Sequence, residues 1–309
     1  MSQGSVLKAA GRIAFPTRTP QSIAEILRGF DTAPHATITG DLFLPERTAG
    51  PTPLVVTSIG SHGLTSGREE LYAEALTRAG MAMFIVDSYT ARGFTETISD
   101  QGKLSMAASI TDAMFAIKYM ASDSRFDPAR LALLGYSRGG AVSVQSWDER
   151  IQDAMLGDIR PAAHVALYPP CYTQWLNPRP PKAPIFMIFG GRDELALQTT
   201  GEDYVKRLRD AGGRVKMLAY AEAQHSFDAN YPAALNPQTS VLADTQIVIE
   251  DDGEMAERTT GLRAGEDWSG FLQKLGEARG RRGATTGNGP LPRDVAVQEI
   301  VAFLKQALD

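Results

Sequence analysis

The chain has 309 residues, 43% of them hydrophobic, and a formal net charge of −5, which allows one large α/β domain or two small ones. It holds no basic tract of the kind that nucleic acid or an anionic membrane requires, so neither is expected as a partner. A single cysteine, Cys171, excludes an intrachain disulfide and a cysteine-based metal site.

No apolar run approaches the length of a membrane span, and Met1 to Lys8 lacks the charged-then-apolar layout of a secretory leader. A cytoplasmic location is the default expectation. A helix is predicted over Ser22 to Arg28, with Ser22 as its cap. Residues 36–45 alternate as a strand that ends at Pro45, and Pro53 to Ser58 form a buried one. The loop Ile59 to Gly67 leads to an amphipathic helix over Arg68 to Arg78, stopped by Gly80. Met81 to Asp87 reads as a strand and Ser105 to Met120 as a long helix. Ala162 to Tyr168, Pro184 to Gly190 and Arg214 to Tyr220 read as three further strands, with a helix over Gly201 to Ala211 and a closing helix over Val295 to Leu308. Strands and helices alternating in this way imply one mostly parallel sheet with helices on both faces. A single domain over 1–309 is therefore expected, with 1–30 as an N-terminal extension.

The segment 229–293 breaks the rhythm. Gln246 to Glu250 with Asp252-Gly253 has the look of a small hairpin, and Gly276 to Gly289 is glycine-rich and reads as mobile. It is predicted to be an irregular insertion, serving as a cover for the site, a homodimer contact or a plain surface excursion.

The most informative stretch is Leu131 to Gly140. Leu131 to Leu134 is a continuous apolar run, Gly135-Tyr136-Ser137-Arg138-Gly139 fits G-x-S-x-G, and Ala141 to Trp147 can continue as a helix. Strand, sharp turn and helix are the context of a nucleophile elbow, which holds a serine hydroxyl out at the carboxyl end of a sheet. A serine hydroxyl needs a base to take its proton, and the base needs an orienting carboxylate, in the chain order serine, acid, histidine. Of the four histidines, His225 alone follows a strand downstream of a suitable acid. His164 lies inside an apolar strand, His35 precedes the sheet, and His62 sits in the loop after the Leu54 strand, where it can touch substrate. Asp193 follows the Ile185 to Phe189 strand directly and is the expected acid, with Glu194 and Asp228 as alternatives. The oxyanion hole calls for two backbone N–H groups. Arg138 is expected to supply one, and Ser61 or Gly60 the other.

Several stretches together resemble the dienelactone hydrolase family of α/β-hydrolases: Leu64 to Ala73, Val86 to Gly93, Gly135 to Gly140, Leu167 to Cys171, Gly190 to Asp193 and Gln224 to Asp228. The resemblance implies the α/β-hydrolase fold and hydrolysis of an ester or lactone without metal or organic cofactor. It also aligns Arg92 with an arginine that grips a substrate carboxylate, as a guanidinium can through two parallel hydrogen bonds; the alternative is a structural arginine paired with the sheet edge or a nearby acid. Two features depart from the founding members. Ser137 stands where they have a cysteine, and the loop Ile59 to Gly63 lacks the glutamate coupled to that thiol. These departures weigh against dienelactone itself as the substrate. Tyr136 and Tyr168, with Tyr172 and Trp175, are candidates to line the substrate pocket.

The expected protein is a serine hydrolase of a small carboxylic ester or lactone, with carboxylate-bearing substrates among the candidates. Ser137 is the expected nucleophile, His225 the base and Asp193 the orienting acid. The alternatives are hydrolysis of a small amide, peptide or carbon–carbon bond by the same residues, and a non-catalytic scaffold that binds a small molecule.

Overall fold

The computed structural model describes residues 9–48, 50–64 and 67–309. Met1 to Lys8, and Thr65 and Ser66 of the Leu64 to Ala73 stretch, lie outside the described residues. The central sheet has eight strands in the order β1-β2-β4-β3-β5-β6-β8-β9. These are β1 (Gly11–Arg18), β2 (His35–Phe43), β3 (Thr52–Ser58), β4 (Ala82–Asp87), β5 (Phe126–Tyr136), β6 (Ala163–Leu167), β8 (Ile185–Gly190) and β9 (Val215–Tyr220). From β4 through β9 neighbours run parallel, while β1 pairs antiparallel with β2 and β2 with β4. This is the α/β-hydrolase architecture. The described part of the N-terminal extension is thus more than a helix, because Gly11 to Arg18 forms the edge strand. Pro16 fits there, since an edge strand can spare one N–H.

The interior strands β4, β6 and β8 are buried along their whole length, as a sheet covered on both faces demands. Alternation then splits the core in two. Leu131 and Leu133 of β5 point to one face, joining Ile110, Met114 and Ile117 of α3 (Met106–Ala121). Ala132, Leu134 and Tyr136 point to the other, joining Tyr72 and Leu76 of α2 (Glu69–Arg78) and Ile300 and Leu304 of α8 (Val295–Leu308). The short α1 (Ile23–Leu27) is capped by Ser22, whose side chain accepts from Glu25 N. The remaining crossover helices are α4 (Arg138–Gln145), α5 (Glu149–Leu156) and α6 (Gln198–Asp210).

Segment 229–293 is far more ordered than its composition suggests. Strand β10 (Ala234–Val241) pairs antiparallel with β13 (Arg281–Thr286), so the glycine-rich stretch contains a strand. The predicted hairpin is present as β11 (Ile247–Ile249) and β12 (Met255–Glu257), and β11 adds in parallel to β7 (Thr173–Trp175). Trp268, Phe271 and Leu275 of α7 (Trp268–Arg279) join the same core as Leu131 and Met114. Among the described residues, no helix is long and apolar enough to cross a membrane.

His164 is fully buried in β6 and donates from Nδ1 to Ser143 O at 3.0 Å. Burial pushes its pKa down to about 4, and the Ser143 contact opposes this only in part. The unfolded chain takes up this proton below about 6.5 and the folded chain only below about 4, so stability should fall as pH drops across that window. Urea unfolding at several pH values should show a smaller slope in His164→Leu than in the unaltered chain.

Candidate active site

Ser137 joins β5 to α4 with φ 53° and ψ −114°, a conformation that costs a non-glycine residue about 1–3 kcal/mol. The turn closes so tightly that its flanking residues have no room for side chains. A Cβ on Gly135 would sit 1.9 Å from Gly139 O, and one on Gly139 would sit 2.0 Å from Ser58 O. Ser137 N donates to Leu167 O at 3.0 Å, which ties the strained turn to the neighbouring strand.

His225 lies in the loop after β9, with Nε2 2.8 Å from Ser137 Oγ and Nδ1 2.7 Å from Asp193 Oδ2. Asp193, in the turn just after β8, accepts at Oδ1 from Leu195 N and Ala196 N, both at 2.8 Å. Those two amides fix the carboxylate so that Oδ2 faces the imidazole. A neutral imidazole protonated at Nδ1 satisfies both contacts and leaves Nε2 to accept from the serine hydroxyl. The other acids turn elsewhere. Glu194 accepts from Thr285 N of β13 at 2.9 Å. Asp228 accepts from Tyr72 and Tyr168 hydroxyls at 2.9 and 2.7 Å.

Strand β13 reaches the histidine loop as well. Gly287 N donates to His225 O at 2.8 Å, and Gln224 Nε2 donates to Gly287 O at 3.2 Å. The insertion therefore grips the loops of both His225 and Asp193, contacts that a plain surface excursion would not make.

Ser137, Arg138, Ser61, His62 and His225 line a cavity of about 90 Å³. The insertion supplies apolar wall to it through Leu242, Ile247, Met255, Trp268 and Leu272. Gly60 stands behind Ser61 rather than on the wall. A Cβ there would lie 3.2 Å from Tyr136 O and 3.4 Å from Ser137 Cβ, so glycine permits the loop to press against the elbow. Burial first, and then His225 and Arg68, lower the His62 pKa to about 4, so this imidazole is neutral near pH 7.

Four expected pocket residues are elsewhere. Arg92, with 11% of its side chain exposed, pairs with Asp112 through Nη1–Oδ2 at 2.7 Å and Nη2–Oδ1 at 2.9 Å, and also donates to Ser88 O and Thr19 Oγ1. Its fork is spent on a carboxylate of α3, off the cavity wall. Tyr136 is fully buried on the α2 face against Tyr72, at 5.2 Å between ring centres, and under the Arg68 guanidinium. Tyr168 stands behind the imidazole, its ring 4.8 Å from that of His225 in an edge-on contact. Tyr172 lines the cavity, whereas Trp175 is buried with its Nε1 donating to Gln145 O.

Among the described residues, no group of three or more His, Cys, Asp or Glu is placed to hold a metal ion.

The sequence pattern of the dienelactone hydrolase family matches residues 38–251. The chain belongs to that family. The match includes Ser137, Asp193 and His225 and ends inside the insertion, leaving β12, α7, β13 and α8 beyond it. Two uncharacterized proteins of Mycobacterium tuberculosis, from strains CDC 1551 and H37Rv, are 30% identical to it over 54% of this chain. The chain spans 61% of the length of those relatives. A solved structure of a candidate dienelactone hydrolase from Klebsiella pneumoniae shares 20% identity, covering 72% of this chain and 90% of that one at a TM-score of 0.50. A serine-to-alanine variant of LAE6, an α/β hydrolase from the metagenome of Lake Arreo, shares 17% identity over 73% of this chain and 78% of its own, at a TM-score of 0.51. At such identities the two structures speak for the α/β-hydrolase fold. In this dienelactone hydrolase family member residue 137 is a serine, and Arg92 is engaged by Asp112.

Proposed function

We propose that this chain is a serine hydrolase of small carboxylic esters or lactones. The observation that carries the reading is the continuous hydrogen-bonded line Ser137–His225–Asp193, at 2.8 and 2.7 Å, on a strained turn open to a largely apolar cavity. In this mechanism Ser137 Oγ attacks the substrate carbonyl as His225 Nε2 takes its proton, and Asp193 stabilises the imidazolium that forms. The backbone N–H groups of Arg138 and Ser61 receive the developing oxyanion. His225 then protonates the leaving alkoxide, and a water activated by the same imidazole releases the acid from Ser137. The Arg92–Asp112 pair and the apolar wall from the insertion favour substrates whose groups beside the scissile bond are uncharged.

The test is reaction of the purified chain with a fluorophosphonate, read by mass on the peptide that carries Ser137. Stoichiometric labelling in the unaltered chain, lost in His225→Ala, is expected. A folded chain that takes no label at Ser137 would sink the reading.

A further inference from the structure

The two amides assigned above to the oxyanion belong to loops that follow different strands, β3 and β5. Two N–H groups on separate loops make a useful hole only if their spacing is held, because misplacement by about 1 Å can cost on the order of 10²-fold in rate. The side chains of the same two residues meet on one glutamine. Gln101 Nε2 donates to Ser61 Oγ at 2.9 Å, and Arg138 Nη1 donates to Gln101 Oε1 at 2.8 Å. Both ends of the amide are used, so the glutamine can sit in only one orientation.

The surroundings immobilise each part. Arg138 Nε donates to Ser109 Oγ at 3.2 Å and Nη2 to Leu104 O. Trp268 Nε1, from the insertion, donates to the backbone carbonyl of Gln101 at 3.1 Å. Thr97 N and Ile98 N donate to the Ser61 carbonyl at 2.7 and 3.1 Å. Arg138 is only 4% exposed, and its guanidinium donates to the neutral acceptors Ser109 Oγ, Gln101 Oε1 and Leu104 O, while nearby Asp112 is engaged with Arg92. Burying a cation on neutral partners costs stability, and a feature that costs stability is expected where function requires it.

We propose that Gln101 is a positioning residue that sets the spacing of the Ser61 and Arg138 amides, as the centre of a Ser61–Gln101–Arg138 brace. This rests on the ester-hydrolase reading. It also gives the insertion a part in rate as well as in pocket shape, through Trp268.

Two variants of the full chain test it. Gln101→Met keeps length and removes both hydrogen-bonding groups, and Ser61→Ala removes the hydroxyl while keeping the backbone N–H. With p-nitrophenyl butyrate, kcat should fall about tenfold in each, with KM within about twofold, as loss of oxyanion alignment requires. Affinity for a trifluoromethyl ketone, whose adduct with Ser137 carries the oxyanion, should fall by the same factor. The double variant should lose no more than the more impaired single, rather than the sum of both losses, because the two changes break one link. Unchanged kcat and ketone affinity in folded variants, or a change confined to KM, would overturn the brace. Should Gln101→Met fail to fold, Ser61→Ala decides alone. Absence of fluorophosphonate labelling in the unaltered chain is the separate result that overturns the ester-hydrolase reading.

Discussion

Replacing Asp193 by asparagine is expected to lower kcat by about 10⁴-fold with KM little changed, the size of effect that follows when a triad histidine is held in the wrong tautomer. The geometry says why. Leu195 N and Ala196 N both donate to Oδ1, so an asparagine would keep its carbonyl oxygen on those amides. Its NH₂ would then face His225 Nδ1, the position that Asp193 Oδ2 holds at 2.7 Å. Two donors cannot face each other. The imidazole would carry its proton on Nε2 instead, leaving no acceptor for the Ser137 hydroxyl. Glu194→Gln should leave kcat within an order of magnitude, since a glutamine can still accept from Thr285 N as Glu194 does. Steady-state kinetics of the two variants check this, with unfolding curves to show that both remain folded. A large loss in Glu194→Gln with little in Asp193→Asn would reverse the assignment of the acid.

The meeting of Ser137, His225 and Asp193 was readable because these parts obey local rules. Leu131 to Leu134 had to be a buried strand, the glycines around Ser137 had to permit a tight turn, and Asp193 and His225 each directly follow an apolar strand. The residues that local rules leave open depend on what faces them across the fold. Arg92 was placed by resemblance, and nothing local marks Asp112, on α3, as the carboxylate that takes its fork. Tyr136 could have been placed by period two, since it shares parity with Ala132 and Leu134 and so points to the α2 face.

The insertion was opaque for a different reason. The pairing of β10 with β13 joins residues about fifty positions apart, as in Ala234 with Thr286, and no short window contains such a ladder. Helix α7 did leave a signal. Trp268, Phe271 and Leu275 recur at helical spacing and are the residues that it buries. Gln101 left none, for a single polar residue in a loop gains its meaning from Ser61 and Arg138, forty and thirty-seven positions away.

The largest expected effect on stability lies behind the histidine. Asp228 is fully buried, accepts from the Tyr72 and Tyr168 hydroxyls, and lies 3.3 Å from Arg68 Nε, which is itself nearly fully buried. Burial opposes the charge on Arg68, but Tyr168 and Asp228 outweigh it and hold the guanidinium pKa above its ordinary value. Asp228→Ala would remove the carboxylate and leave a buried cation and two buried phenols short of a partner. Breaking a buried ion pair from one side costs about 3–5 kcal/mol, and denaturant unfolding should show a loss of that order. Tyr168→Phe keeps the ring against His225 and removes one hydrogen bond, so about 1–2 kcal/mol is expected from it. An Asp228→Ala chain as stable as the unaltered one would mean that Arg68 finds another anion or escapes to water. A chain that keeps its stability but loses turnover would instead make Asp228 part of what aims the imidazole, acting through the Tyr168 ring that packs edge-on against it.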